Sequence, residues 1–312
     1  MPPGRNVSDL SVMPPTVSVV IPTYNRARLL AEALDSVLQQ TCPPAEIIVI
    51  DDGSKDDTAQ AMVPYGGKVR YVCQENAGPA AARNHGMRLA TGDFIALLDS
   101  DDLWVKDRLE RQLKALEQHP GLDLLFGLEA KFTAAEQFEA CEIKDRDVLA
   151  ALNAAAIVVT DAFGLLLREN YIPTSSVLLR RQCLARTGYM DSTVVPTEDY
   201  DLWIRLAMHG FNFGFVNAAL CRRRLHEGNL VNQWVRLTAA GAEVLSRYCN
   251  QSAAHRDRAN RRLSSIHYDL GSRLFYQRDF TQALLHLRRC KSTGRTRLAW
   301  AVKLAIARFL AR

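Results

Sequence analysis

The sequence predicts an α/β fold, an open, mostly parallel, doubly wound sheet with a helical extension behind it. Three observations carry that expectation. Val17-Ser-Val-Val-Ile21, Glu46-Ile-Ile-Val-Ile50 and Phe94-Ile-Ala-Leu-Leu98 are near-continuous apolar runs of strand length, as expected for strands buried on both faces. Segments with helical periodicity lie between these runs, so strands and helices alternate and right-handed crossovers are expected. Finally, the polar loops Pro22 to Asn25, Asp51 to Ser54 and Asp99 to Asp102 each follow such a run. In sheets of this kind ligands bind beyond the carboxyl ends of the strands, so sequence-distant loops are expected to share one crevice.

The elements follow in order. After a Pro-rich leader over residues 1–15, the first strand closes at Pro22, and a helix is expected from about Arg28 to Gln40, with Leu29, Leu30, Ala33, Leu34 and Val37 on one face. The second strand turns out through Asp51-Asp-Gly-Ser54 into a helix from Asp56 to Met62, and Val69 to Cys73 is a third strand. Pro79 suits the first turn of the next helix, which leads to the strand ending at Asp99. A helix over Lys106 to Glu117 and a strand at Asp123 to Gly127 come next, while residues 128–170 show no clear period. Ser175 to Leu179 reads as a strand, and Thr197 reads as the cap of a helix with an acidic first turn. That helix buries Leu202, Trp203, Leu206 and Ala207 and ends at Gly210, and a strand over Phe211 to Val216 follows. From Gln233 the pattern is helical, with Ile266 to Leu274 and Phe280 to Leu287 as a helix pair too short to be a repeat array.

With 312 residues and 48% hydrophobic content the chain can bury a full core. No apolar run reaches the roughly 18 residues that cross a bilayer, and the leader lacks a signal-peptide core, so a cytoplasmic protein is expected. Seven cysteines without a C-x-x-C pair read as reduced thiols. Residues 251–312 hold 14 Lys and Arg against three Asp, a local +11 inside a chain of net +5. Body and tail therefore face different partners. Basic residues without interleaved aromatics or a recognition fold give no ground for nucleic-acid binding.

Phe94-Ile-Ala-Leu-Leu-Asp-Ser-Asp-Asp-Leu-Trp104 organises the rest, because its apolar run ends in Asp99, Asp101 and Asp102. Three carboxylates within four residues repel, and an oxygen-seeking divalent cation, Mg2+ or Mn2+, relieves that repulsion most directly. The plain alternative is that they solvate a strand end and cap the following helix.

Val17 to Asn25, Asp51 to Ser54, Asn76 to Asn84, Leu97 to Trp104 and Glu198-Asp-Tyr-Asp-Leu-Trp203 stand in the order and rough spacing of family 2 glycosyltransferases, and residues 16–230 resemble that family. The resemblance implies a GT-A fold, a nucleotide-diphosphate sugar donor with UDP as the default, Mn2+ or Mg2+, and inversion at the anomeric carbon. It implies that Pro22, Thr23, Tyr24 and Asn25 cradle the base, that Asp52 accepts from the base N–H, and that Arg83 and Arg224 lie near the diphosphate. Asp101, Asp102 and Asp99 divide ribose and metal between them in a way the motif leaves open, and His226 touches metal or phosphate. Asp199 is the implied base, with Glu198 orienting the acceptor or tuning Asp199. Processive members carry membrane spans and a Gln-x-x-Arg-Trp signature, which this chain lacks, so one sugar per encounter is expected.

The division expected is a leader over 1–15, a transferase domain over 16–230 and a basic helical region over 231–312. The last segment, around Trp300 to Leu310, mixes apolar and basic residues at helical spacing. Two readings stand for it: a peripheral membrane contact suited to a lipid-linked saccharide acceptor, or a helix packed on the catalytic domain. A nicotinamide-dependent dehydrogenase is disfavoured because Pro-Thr-Tyr-Asn replaces the Gly-rich turn. A degenerate binding or scaffolding protein would be expected to have lost Asp101, Asp102 or Asp199, and all three are present.

Overall fold

The computed structural model describes residues 14–133, 139–140, 143–225, 234–290 and 297–311. Strands β1 (Val17–Thr23), β2 (Glu46–Asp51), β3 (Arg70–Cys73) and β4 (Phe94–Leu97) alternate with helices α1 (Ala27–Leu38), α2 (Thr58–Ala61) and α3 (Pro79–Leu89). There follow β5 (Leu103–Trp104), α4 (Arg108–Gln118), β6 (Leu124–Phe132), β7 (Glu139–Ala140), α5 (Arg146–Ala154), β8 (Val158–Val159) and α6 (Ala162–Leu166). Then come β9 (Leu178–Arg180), α7 (Leu184–Thr187), α8 (Glu198–Met208) and β10 (Phe213–Arg224). The helices α9 (Trp234–Tyr248), α10 (Arg256–Tyr276), α11 (Phe280–Arg289) and α12 (Arg297–Leu310) come last.

The sheet runs β3-β2-β1-β4-β9-β6-β10-β5, with β7 on β6 and β8 on β10. The pairs β3-β2, β2-β1, β1-β4 and β6-β10 are parallel, and β9 runs antiparallel between β4 and β6. Period-two alternation sends β1, β2 and β4 residues into two cores. Val20, Ile48, Ile50, Ile95 and Leu97 face the α3 and α8 side, whereas Val19, Ile21, Val49, Ala96 and Leu98 face α1 and α4. A third cluster around Leu167, Leu245, Ile266 and Leu270 joins α9 and α10 to the sheet domain. Tyr248 on α9 adds a hydrogen bond of 2.6 Å to buried Asp201 on α8.

Several expectations about local structure need correction. Ser175 and Ser176 belong to a 3-10 turn at Thr174–Ser176 rather than a strand. Ser176 N and Oγ both donate to the Pro173 carbonyl, at 2.9 and 2.8 Å, and this local bonding displaces ladder pairing. Thr197 does not cap α8 with its side chain, because its hydroxyl donates to Val194 O at 2.9 Å. The helix expected over Asp56 to Met62 is a single turn. Strand β10 runs on to Arg224, beyond Val216, through irregular pairing with β6. Gly210 does end α8: it has φ +76, and the Gly210 and Phe211 amides donate back to Ala207 and Leu206.

The helix pair in the basic region is present as α10 and α11. No described helix is long and apolar enough to cross a membrane.

Helix α3 lies so close to β1 that a Cβ built at Gly86 would stand 2.4 Å from Val20 Cγ1 and 3.2 Å from Ile50 Cγ1. Gly86→Val is therefore expected to lower stability by about 1–3 kcal/mol through overpacking. Urea unfolding checks this, and an unchanged midpoint would show that α3 is free to move.

Candidate functional site

The loops that follow β1 and β2 are laced together. Asn25 stands in the left-handed region at φ +51, its amide donates to Ser54 Oγ at 2.8 Å, and its Oδ1 accepts from Lys55 N at 2.7 Å. Asp51 accepts from the Ser54 amide at 2.8 Å and from the Tyr71 hydroxyl. Asp52 accepts from Gln74 Nε2 and from the Ala77 and Gly78 amides at 2.8 to 2.9 Å. It thereby fixes the segment that enters α3. Tyr24 is 42% exposed, so a ring face is open to stacking. The buried Thr23 hydroxyl has no hydrogen-bond partner among the described residues. Pro22 is buried within β1, paired with Ile50, and so lies behind the rim of the crevice.

Beyond β4 the three aspartates take separate partners. Asp99 accepts from Arg83 Nη2 at 2.6 Å, and Asp101 pairs with Arg26 at 2.7 Å. Asp102 accepts from Ser175 Oγ at 2.6 Å and from the Arg224 amide at 3.3 Å. Arg224 also donates to the Asp101 carbonyl at 3.3 Å and pairs with Glu32. Burial, then the Asp99 and Asp101 charges, push the Asp102 carboxyl well above its usual range.

The all-oxygen donor set of Asp101 and Asp102 suits a hard divalent ion. Among the described residues no three His, Cys, Asp or Glu side chains close around an ion. Two carboxylates such as Asp101 and Asp102 are a number with which Mg2+ can be held where substrate phosphates and water complete its shell. His226 lies outside the described residues.

Arg108 supports this loop from behind. It is fully buried, stacks 3.7 Å from the Trp104 ring centroid and donates to Val177 O at 2.8 Å. Burial without a carboxylate partner pulls its pKa down to about 9. Trp104 in turn donates to Ser175 O at 3.1 Å.

The acidic start of α8 meets the same region through Arg83, whose Nη1 donates to Glu198 Oε1 at 2.7 Å. Burial works against the Arg83 charge, but Asp99 and Glu198 more than offset it and hold the guanidinium pKa above its ordinary value. Glu198 Oε2 is buried with no partner among the described residues. Asp199 accepts from the Thr174 hydroxyl and from the Tyr200 amide, the latter at 2.6 Å. Burial raises the Asp199 carboxyl, while the Thr174 hydrogen bond and the Arg83 charge oppose the rise.

The structure thus links Asp99, Arg83 and Glu198 directly, and Asp101 and Asp102 through Arg224. Asp52 lies in the neighbouring loop set. Asp201 and Trp203 are structural: Asp201 bonds Arg205 at 2.8 Å, and Trp203 is fully buried. Sequence reasoning missed Arg26, Glu32, Thr174 and Ser175. Arg26 directly follows Asn25, so it was within reach of the motif. Thr174 and Ser175 act on carboxylates 25 and 73 residues away, which periodicity does not register.

Residues 18–139 match the family described as Glycosyl transferase family 2, and residues 94–307 match Glycosyl transferase family group 2. An uncharacterized glycosyltransferase of Rickettsia typhi, RT0329, is 30% identical over 70% of this chain and 66% of its own length. The amylovoran biosynthesis glycosyltransferase AmsB of Erwinia amylovora is 31% identical over 63% of this chain and 65% of its own. The chain spans 66% or less of the first rickettsial relatives, and only 17% of two of them. In fold it is similar to S. aureus TarS 1–349, with TM-score 0.64, 19% identity and coverage of 88% of this chain and 79% of the other. It is also similar to mannosyltransferase PcManGT from Pyrobaculum calidifontis in complex with GDP-Man and Mn2+, with TM-score 0.62, 21% identity and coverage of 96% and 81%. At these identities the two structures establish the fold alone, and the sheet with its helical C-terminal region agrees with them.

Arg83→Met leaves two carboxylates without their buried cation. The expected loss near neutral pH is about 3–5 kcal/mol, measured by denaturant unfolding. The deficit should narrow in acid, where the unpaired carboxyls are protonated and no longer need a counter-charge. A deficit independent of pH would place the cost in packing instead.

Proposed function

The chain belongs to glycosyl transferase family 2, and from that premise we propose that it moves one sugar from a nucleoside-diphosphate donor to a saccharide hydroxyl, with inversion, in cell-surface polysaccharide synthesis. The observation that carries this reading is the Arg83 bridge, which sets the Asp99–Asp102 cluster and the Glu198–Asp199 pair on one crevice. One side suits a diphosphate and the other suits an acceptor. A lipid-linked saccharide and a free one present the same attacking hydroxyl. AmsB, named for amylovoran biosynthesis, supports a polysaccharide product.

In this reading the acceptor oxygen forms a bond to the anomeric carbon as the bond to the diphosphate oxygen breaks, and the leaving electron pair departs with the nucleotide. Asp199 takes the acceptor proton. Its burial suits that task, because a raised pKa brings the carboxylate nearer the operating pH. Thr174 aims one Asp199 oxygen, and the helix amide of Tyr200 holds the other. Glu198, anchored through Oε1, offers Oε2, which has no partner among the described residues, to a sugar hydroxyl. Tyr24 stacks on the base, and the Thr23 hydroxyl and Asp52 recognise its edge, with Asn25 fixing the loop that presents them. Asp101 and Asp102 would hold Mn2+ or Mg2+, which supplies neutralisation of the departing diphosphate when bound. UDP is the favoured nucleotide: TarS 1–349 has been solved with UDP and with UDP-GlcNAc, while the PcManGT complex with GDP-Man makes GDP the competitor to test.

Calorimetric titration with UDP, dTDP and GDP, each with Mn2+ and with EDTA, tests the donor side. Metal-dependent binding of one nucleotide is expected, and its loss in Asp102→Ala would assign the ion to this loop. Binding of none of the three would overturn the donor reading.

Asp199→Asn is expected to cut transfer by on the order of a hundred-fold to ten-thousand-fold while nucleotide affinity stays nearly intact. A matching fall in affinity would argue against the base. In the unaltered enzyme only ionised Asp199 accepts the proton, so the rate should fall in acid through a midpoint above the ordinary carboxylate value of 3.8. A pH–rate profile that stays flat down to that value would remove Asp199 from the role.

A further inference from the structure

Helix α12 is docked on one side only. Trp300 Nε1 donates to Leu287 O at 2.8 Å, Lys303 Nζ to Ser272 Oγ at 3.0 Å, and Ala307 is fully buried. Lys303 also sits over the Tyr268 and Tyr276 rings, at 5.1 and 4.9 Å from their centroids. The opposite side carries Leu298, Val302, Ile306 and Phe309, spaced four, four and three residues apart, so they form one stripe along the helix. Leu298 is 78% and Phe309 77% exposed, and Val302 and Ile306 are also exposed.

From Phe280 to Arg312 the sequence has eight Lys and Arg and no Asp or Glu. We propose that the outward stripe of α12, with Arg297 and Arg308 at its ends, docks in the plane of an anionic lipid surface. The charge calls for an anionic partner, and the stripe calls for a hydrocarbon phase beside that charge. Nucleic acid offers the anion without an apolar phase for Leu298 and Phe309. A second copy of the chain would bring the same basic residues to the same face, so like charges would oppose a symmetric pair. The helix covers 14 residues, and no described helix meets the length and hydropathy of a membrane span, so the geometry is that of lying in the interface.

The test is flotation of the full chain with phosphatidylcholine vesicles, with and without phosphatidylglycerol, in the absence of any donor sugar. Because no transfer is measured, failure here leaves the proposed reaction untouched, and failure of the reaction leaves this inference untouched. Binding is expected to require phosphatidylglycerol and to weaken with salt. The double variant Leu298→Glu, Phe309→Glu should bind at least about tenfold more weakly, and Arg297→Gln, Arg308→Gln should lose the preference for anionic vesicles. Leu298, Arg308 and Phe309 are exposed, and unchanged thermal unfolding confirms that each variant is folded. Equal binding by the glutamate variant, or binding indifferent to phosphatidylglycerol, would overturn the proposal. So would light scattering that shows a dimer dispersed by the glutamate substitutions, with no vesicle binding by the unaltered chain.

Discussion

Arg83 lies almost out of water between Asp99 and Glu198, and the crevice depends on that placement. Each carboxylate alone would be costly at its depth, and the guanidinium would be costly without them. Together they satisfy one another and join the end of β4 to the start of α8 through Arg83, which stands 115 residues before Glu198. The bridge also sets the electrostatics on both sides. It opposes the burial that raises the Glu198 and Asp199 carboxyls, while Asp102, with no guanidinium on its carboxylate in the described hydrogen bonds, is pushed up by burial and by its neighbours.

The sheet supplies the frame for this arrangement. Parallel strands β1, β2 and β4 end on the same edge, so three loops arrive together without side chains having to bring them there. Antiparallel β9 then enters between β4 and β6, and the turn preceding it brings Thr174 and Ser175 to the same edge. Arg108 and Trp104 brace that turn from beneath by contacts to backbone carbonyls, an unusual use of a buried guanidinium that leaves its own charge uncompensated.

Much of this was legible in the sequence because it follows from local rules. Apolar runs ending in Asp51 or Asp99 announce buried strands with polar outlets, and Pro79 and Gly210 mark a helix start and a helix end as their backbone chemistry requires. The resemblance placed Glu198 and Asp199 beside the aspartate cluster, and the structure brings Glu198 there through Arg83. What stayed hidden depends on tertiary pairing. The resemblance put Arg83 near the diphosphate, but its pairing with Asp99 and Glu198 shows only once the chain is folded. Ser175 and Ser176 read as strand because Val177 to Leu179 is apolar, yet their hydroxyls have better partners in a carbonyl and a carboxylate. The described part of 128–170 showed no period because beyond the end of β6 it holds only short elements, β7, α5, β8 and α6, each too brief to repeat.

Thr174 and Ser175 are adjacent in the chain, yet one holds Asp199 and the other holds Asp102. The Asp102 side and the Asp199 side of the crevice, which the proposed reading gives to donor and acceptor, therefore share a single hinge pin of two residues. Substitutions at these positions should not behave independently, since a shift of the turn displaces both carboxylates at once. For anyone reshaping the crevice toward a new acceptor, the turn is the piece to leave fixed while the walls around it are varied.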